Sequence, residues 1–493
     1  MRGRLAPLAL LLTAVLGAGG PDLGQPRDLR AISRPLSYDA MARFLAAAAR
    51  PGLITVTEEG RTTQGRALHL VRLCRGGAKA RFKVLLYAQQ HGNEVAGKEA
   101  LLTLVRDIAE RPTLLPEDVD LYLLPSVNPD GAEAHRRMNG AGADLNRDHL
   151  ELVQPETQAL YRVARRLRPH LAVDGHEFGR DGEAYRAKGW LAWPIITLDA
   201  ANHPLIPEPL RQLGLEAVRT AESTLRKAGL PYRRYLVGGP PPDEELRPST
   251  PEVDDGRNGM GTLGALSFII ESGVRHEAAD PQADLGLRVE GYRLLYRHLL
   301  GNRTWRERVR RAVEQGRKEP LPPFIATNTF WGNRDGRVAR VKVLEAATGR
   351  TLEIPTASLM SDLVVKGSVP TPRAYAIEAA AAAAFTPVLK AQGLTFETLA
   401  APRRVQAEAV TFQRLEEPFD ELYQRYKDRQ IVARQPRAER VLPAGTLLVP
   451  LDQPDARRAI QLLEPCLLYS LYGYPAFKGL ARPGQALPVL RLF

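Results

Sequence analysis

Phe82-Lys83-Val84-Leu85-Leu86-Tyr87 is an apolar run that breaks into Ala88-Gln89-Gln90-His91-Gly92-Asn93-Glu94, and from Glu94 a helical periodicity continues to Ile108. Apolar for the length of one strand, then polar and ionisable, then amphipathic: this is the order of a buried strand, a loop and a helix. The same order recurs along the chain. Residues 119–124 run into Ser126-Val127-Asn128-Pro129-Asp130-Gly131, and 266–270 run into Glu271-Ser272-Gly273. Residues 171–173, preceded by a helical pattern over 156–167, run into Asp174-Gly175-His176-Glu177. With a further helix over 210–228, the alternation predicts an α/β fold, a mixed and largely parallel sheet flanked by helices. Ligands of such sheets bind outside the carboxyl ends of strands, so the four polar clusters are expected to meet in one crevice.

Upstream, residues 38–49 have helical spacing and stop at Arg50-Pro51-Gly52, and 53–73 alternate as a hairpin turning between Gly60 and Gly65. Downstream, Lys318-Glu319-Pro320-Leu321-Pro322-Pro323 is polar and proline-rich, and a boundary is expected there. Beyond it, 338–344 and 351–354 read as strands and 375–392 as a helix containing the alanine run 379–384. The expectation is an α/β unit over 30–315 and a smaller α+β unit over 324–493 with no assigned role.

With 493 residues, 44% hydrophobic and 25% charged, the chain has material for two packed units. That balance excludes wholesale disorder and a multi-span membrane protein. The net charge of +12 comes from 57 arginines and 11 lysines spread along the chain among 56 acidic residues. Without clustering or interleaved aromatics this reads as a solvated basic surface, and no nucleic-acid partner is expected. Met1-Arg2-Gly3-Arg4, an apolar run over 5–16 and Gly17-Ala18-Gly19-Gly20 have the form of a signal peptide over 1–20, predicting a secreted or periplasmic protein. No later segment reads as a transmembrane helix. Cys74 and Cys466 could pair after export or remain two half-buried thiols.

His91 and Glu94 stand three apart where a helix begins, so imidazole and carboxylate fall on one side. Both suit Zn²⁺, and a second imidazole from another strand would complete three protein ligands with one position open, the catalytic pattern. By itself the pair is a weak signal. The full order is more specific: His91-x-x-Glu94, Asn128-Pro129-Asp130-Gly131, Arg137-x-Asn139, Asp144-Leu145-Asn146-Arg147, Asp174-x-His176-Glu177 and Glu271 closing an apolar strand. This resembles the zinc carboxypeptidases related to carboxypeptidase A, in the compact bacterial branch with an extra C-terminal domain. Gly60-x-x-x-x-Gly65-Arg66 resembles that family's opening hairpin, and the likeness spans roughly 35–300.

The resemblance implies one zinc ion held by His91, Glu94 and His176, with Glu271 as general base toward zinc-activated water. It implies Arg137 as the stabiliser of the developing oxyanion and Asn146 with Arg147 as the clamp on a substrate's terminal carboxylate. Asp144 would orient His91 through its other ring nitrogen. The implied partner is a peptide with a free C-terminal carboxylate. Two further readings share these residues: an aspartoacylase-like zinc amidohydrolase acting on small N-acyl amino acids, and a non-catalytic zinc- or cell-wall-binding relative. One departure stands out, because residues 249–267 lack the tyrosine the family carries there, and Tyr232 and Tyr235 lie further upstream. Asp254 and Asp255 read as a preference for a basic side chain, and His135, His149 and His170 as structural.

Overall fold

Eight strands form the central sheet of the protein, as seen in a computed structural model that describes residues 22–493 apart from 252, 416–418, 421–424, 427–428, 468–469, 481 and 483. In chain order they are β1 (Ile54–Arg61), β2 (Ala67–Cys74), β3 (Phe82–Ala88), β4 (Val119–Leu124), β5 (Leu171–Gly179), β6 (Ile196–Ala200), β7 (Tyr232–Arg234) and β8 (Leu266–Val274). Across the sheet the order is β1-β2-β4-β3-β5-β8-β6-β7. β4, β3, β5 and β8 are neighbours and run parallel, the β1–β2 hairpin joins antiparallel through β4, and β6 joins antiparallel to β8. The four strands that carry or lead into the polar clusters are therefore side by side and point the same way, β5 and β8 running on through theirs to Gly179 and Val274.

Alternate side chains of β3 serve two cores. Val84, Leu86 and Ala88 pack with the helices Ala96–Glu110, Glu208–Lys227, Leu285–Leu300 and Arg303–Gly316. Leu85 and Tyr87 face the helix Pro155–Leu167 and Met260 on the opposite side. Burial on both faces is why the strand reads as one continuous apolar run. β6 and β7 carry no such run and escape the sequence pattern.

Past residue 316 two β-ribbons pair Phe324–Gly332 with Asp362–Pro370 and Ala339–Glu345 with Thr351–Thr356. The second ribbon is extended by the short strand Trp190–Ala192 from the α/β part. A six-stranded antiparallel sheet follows, and its core also takes in Leu150, Leu205 and Val253 from earlier in the chain. The expected helix over 375–392 is corrected here. Ala374–Ile377 is a strand bonded on both sides, to Leu447–Pro450 and Val489–Leu492, and the helix is confined to Ala382–Ala391. Tyr375 and Ile377 are buried β-formers paired on two edges, while the alanines from Ala379 onward do turn into helix, first 3₁₀ and then α.

Cys74 and Cys466 are both free and buried, so the pairing left open by the sequence is absent and neither thiol is half-exposed. The predicted leader over 1–20 lies outside the described residues. Among the described residues no helix is long and apolar enough to cross a membrane.

Candidate active site

The site is built where β3 ends. Gln89 takes a left-handed conformation (φ 58°), which costs a residue with a side chain about 1–2 kcal/mol. Its amide donates to the Gly92 carbonyl at 3.0 Å, and its own carbonyl accepts from Asn128 N at 2.9 Å. Gly92 touches the loop after β4 so closely that a Cβ would stand 2.0 Å from the carbonyl carbon of Gly131. Asn128 caps the following turn and donates to the carbonyls of Gln90 (3.0 Å) and Arg137 (3.1 Å). Two strand ends are thus locked together, and His91 is fixed at their junction.

His91, Glu94 and His176 are all buried, and one ligand atom from each lies within 4.8 Å of the others. His91 Nδ1 is 2.7 Å from Glu94 Oε1, His176 Nδ1 is 2.9 Å from Glu94 Oε2, and the two Nδ1 atoms are 3.2 Å apart. The opposite nitrogen of each ring is held by a carboxylate: His91 Nε2 by Asp144 at 3.0 Å and His176 Nε2 by Asp174 at 3.0 Å. Both rings therefore turn Nδ1 toward the same point. The edges of a tetrahedral site with bonds near 2.0–2.1 Å are about 3.3 Å long, so the donors need to spread only slightly to hold an ion. His-Glu-His with carboxylates behind both imidazoles is the donor chemistry of a catalytic zinc site, and the residues fit that metal.

Burial works to raise the Glu94 carboxyl, but His91 and His176 outweigh it and hold it well below the usual range. Burial works to lower His176, and Asp174 with Glu94 reverse it, so the imidazole is pushed well up. Glu271 stands beside His176 in the parallel register of β8 and β5. Burial pushes its carboxyl up to about 7. Its Oε2 is buried with no hydrogen-bond partner, an arrangement that ordinarily costs about 1–3 kcal/mol. Tyr235 places its hydroxyl against the same carboxylate.

Arg137 lies over the cluster, held through Nε and Nη2 by Asp144 (3.0 and 2.9 Å), with Nη1 3.6 Å from Glu94 Oε1. Asn146 Oδ1 accepts from Gly256 N (2.8 Å) and Gln90 Nε2 (3.3 Å), so toward a ligand it offers its Nδ2 hydrogens. Arg147 lies along the same loop, with Nε 4.0 Å from Asp254 Oδ2. Asp255 caps the helix Gly256–Thr262 and pairs with Arg257 at 3.1 Å. Asp254 and Asp255 thus each lie against an arginine of the fold, Arg147 and Arg257.

Sequence reasoning assigned no role to Gln90, Asp174 or Tyr235. Asp174 was detectable, because it sits two residues before His176 and points to the same side of a strand. Gln90 ties Asp174 (2.7 Å), Asn146 (3.3 Å) and His149 (2.7 Å) together, and no local pattern marks it. Tyr235 follows the three-residue strand β7, upstream of residues 249–267.

Residues 41–180 match the zinc carboxypeptidase family. This stretch carries His91, Glu94 and His176. Carboxypeptidase 2 of Trichophyton tonsurans is 32% identical over 200 residues, 39% of this chain and 37% of the fungal protein. Carboxypeptidase D of Homo sapiens is 31% identical over 154 residues, 22% of this chain and 11% of the human one. The chain thus spans little more than a third of the length of the fungal relative. Among solved structures, a metallo-carboxypeptidase from Burkholderia cenocepacia is 20% identical, with 53% of this chain and 69% of that one covered and a TM-score of 0.41.

Proposed function

We propose that the chain is a secreted or periplasmic zinc metallocarboxypeptidase that hydrolyses the C-terminal peptide bond of peptides. One observation carries this reading: the ligand atoms of His91, Glu94 and His176 converge with an open, unpartnered Glu271 oxygen beside them. Bound there, zinc would supply a Lewis acid that polarises the scissile carbonyl and acidifies water. Glu271 Oε2 accepts a proton from the attacking water and passes it to the departing amine, a task suited to a carboxyl raised toward neutrality. The Nη1 edge of Arg137 faces the negative charge that develops on the carbonyl oxygen. Arg147 and the Nδ2 of Asn146 hold the terminal carboxylate and set which bond is presented.

Metal analysis tests the assignment. One zinc per chain is expected after dialysis, and a chelator is expected to remove metal and peptidase activity together; a chain that retains no zinc contradicts it. Asp144→Asn weakens the hold on His91 and on Arg137 at once. Loss of such a supporting carboxylate costs about 10–100-fold in metal affinity, and competition with a zinc-binding dye is expected to show a loss in that range. Affinity equal to the unmodified protein would mean that Asp144 does not orient the ligand.

A further inference from the structure

We infer that the region beyond residue 316 braces the substrate-carboxylate clamp, with Arg458 as its positioning residue; the inference rests on the metallocarboxypeptidase reading for the identity of the clamp. Arg458, on the helix Ala456–Leu463, is completely buried. It donates through Nη2 to the His149 carbonyl and to the Tyr161 hydroxyl (3.2 Å), and through Nε to Gln392 Oε1 (2.9 Å). Gln392 in turn donates through Nε2 to the carbonyls of His149 (3.1 Å) and Leu150 (2.7 Å). The Tyr474 hydroxyl donates to the Arg147 carbonyl at 3.2 Å. Three backbone carbonyls in the four residues after Asn146 are thus held from the far end of the chain.

The same loop is tied to the metal site from its other side. His149 Nε2 donates to Gln90 Oε1 at 2.7 Å, and Gln90 Nε2 reaches Asp174 (2.7 Å) and Asn146 (3.3 Å). Arg458 therefore connects through His149 and Gln90 to Asn146 and to the carboxylate behind His176. The other arginines with no exposed surface, Arg257, Arg288 and Arg491, lie against acidic residues. Arg458 instead meets a carbonyl, a phenol and two amides. Burying a guanidinium among neutral acceptors is expensive, and an apolar side chain would fill the same space more cheaply. What the guanidinium provides is a rigid fan of donors that fixes the segment following the short 3₁₀ turn Leu145–Arg147, with a positive charge on the side where an anionic substrate terminus docks.

The test uses the full-length protein with Arg458→Met, Gln392→Leu and Tyr474→Phe, the last removing a single oxygen so that folding is preserved. For an N-acyl dipeptide with a free carboxylate, KM is expected to rise about tenfold or more in the first two and several-fold in the third, with kcat within about threefold and zinc content unchanged. Arg458→Lys should restore part of the loss. A merely structural role would lower the folded fraction or kcat and leave KM in place, and that result overturns the inference. Hydrogen exchange read without substrate separates the two claims. Faster exchange confined to residues 146–150 in the variants supports the brace even if the unmodified protein proves inactive on peptides, whereas unchanged exchange there overturns it.

Discussion

Glu271→Gln is expected to lower kcat by about a thousandfold, within the range of about 10²–10⁴ that a positioned general base contributes, while zinc content stays at that of the unmodified protein. Glutamine has the same shape, but its amide cannot accept the proton of the attacking water. Glu271 lies outside the His91, Glu94 and His176 donor set, so metal retention should be unaffected. The Oε2 atom is already without a partner, so the substitution breaks no hydrogen bond made by it. Burial holds the carboxyl up near 7, which means that its ionised form is unfavourable in this pocket. The variant should therefore unfold at no lower temperature than the parent. Activity within tenfold of the parent would remove Glu271 from the reaction, and loss of zinc would make it a ligand instead of a base.

Removing everything after residue 319 is expected to abolish measurable kcat/KM even where the shortened chain stays in solution. The cut uncovers Leu150, Leu205 and Val253, which sit in the core formed with the C-terminal sheet. It also takes away the donors to the carbonyls of Arg147, His149 and Leu150. Ordering each freed backbone residue again when substrate binds costs about 1–2 kcal/mol. Over a loop of four residues that outweighs what a carboxylate clamp can return. The Ala339–Glu345 strand, which extends Trp190–Ala192, would be lost as well. A shortened chain with the parent's kcat/KM on a free peptide would show that the C-terminal region is a separable appendage.

The strands that matter were legible because they are buried on both faces. β3, β4, β5 and β8 each contain a largely apolar stretch; the polar cluster follows the end of β3 and β4, whereas β5 and β8 continue as strands through His176 to Gly179 and through Glu271 to Val274, past the ends the apolar runs suggested. β6 and β7 were not, since Thr197, Asp199, Arg233 and Arg234 interrupt any hydrophobic period in strands of five and three residues. Residues 375–377 show the opposite failure: the helical reading of the alanine run 379–384 was carried upstream over Tyr375-Ala376-Ile377, which are paired as a strand on both sides. The metal-ligand candidates were legible for a local reason, as two of the three stand three residues apart and the third lies on another strand, just past its apolar stretch. Their surroundings were not. His149 reads as one more buried histidine until Gln392 and Arg458, more than two hundred residues away, are brought against its carbonyl. Tyr235 likewise gains its place against Glu271 only through the pairing of β7 with β6 and of β6 with β8.

The most direct test of the central claim compares two substrates on the zinc-loaded protein: a peptide with a free C-terminal carboxylate and the same peptide carrying a C-terminal amide. With Arg147 and Asn146 proposed to hold the charged terminus, release of the C-terminal residue is expected from the first and no detectable release from the second. Equal cleavage of both, or turnover restricted to small N-acyl amino acids with neither peptide cut, would contradict it.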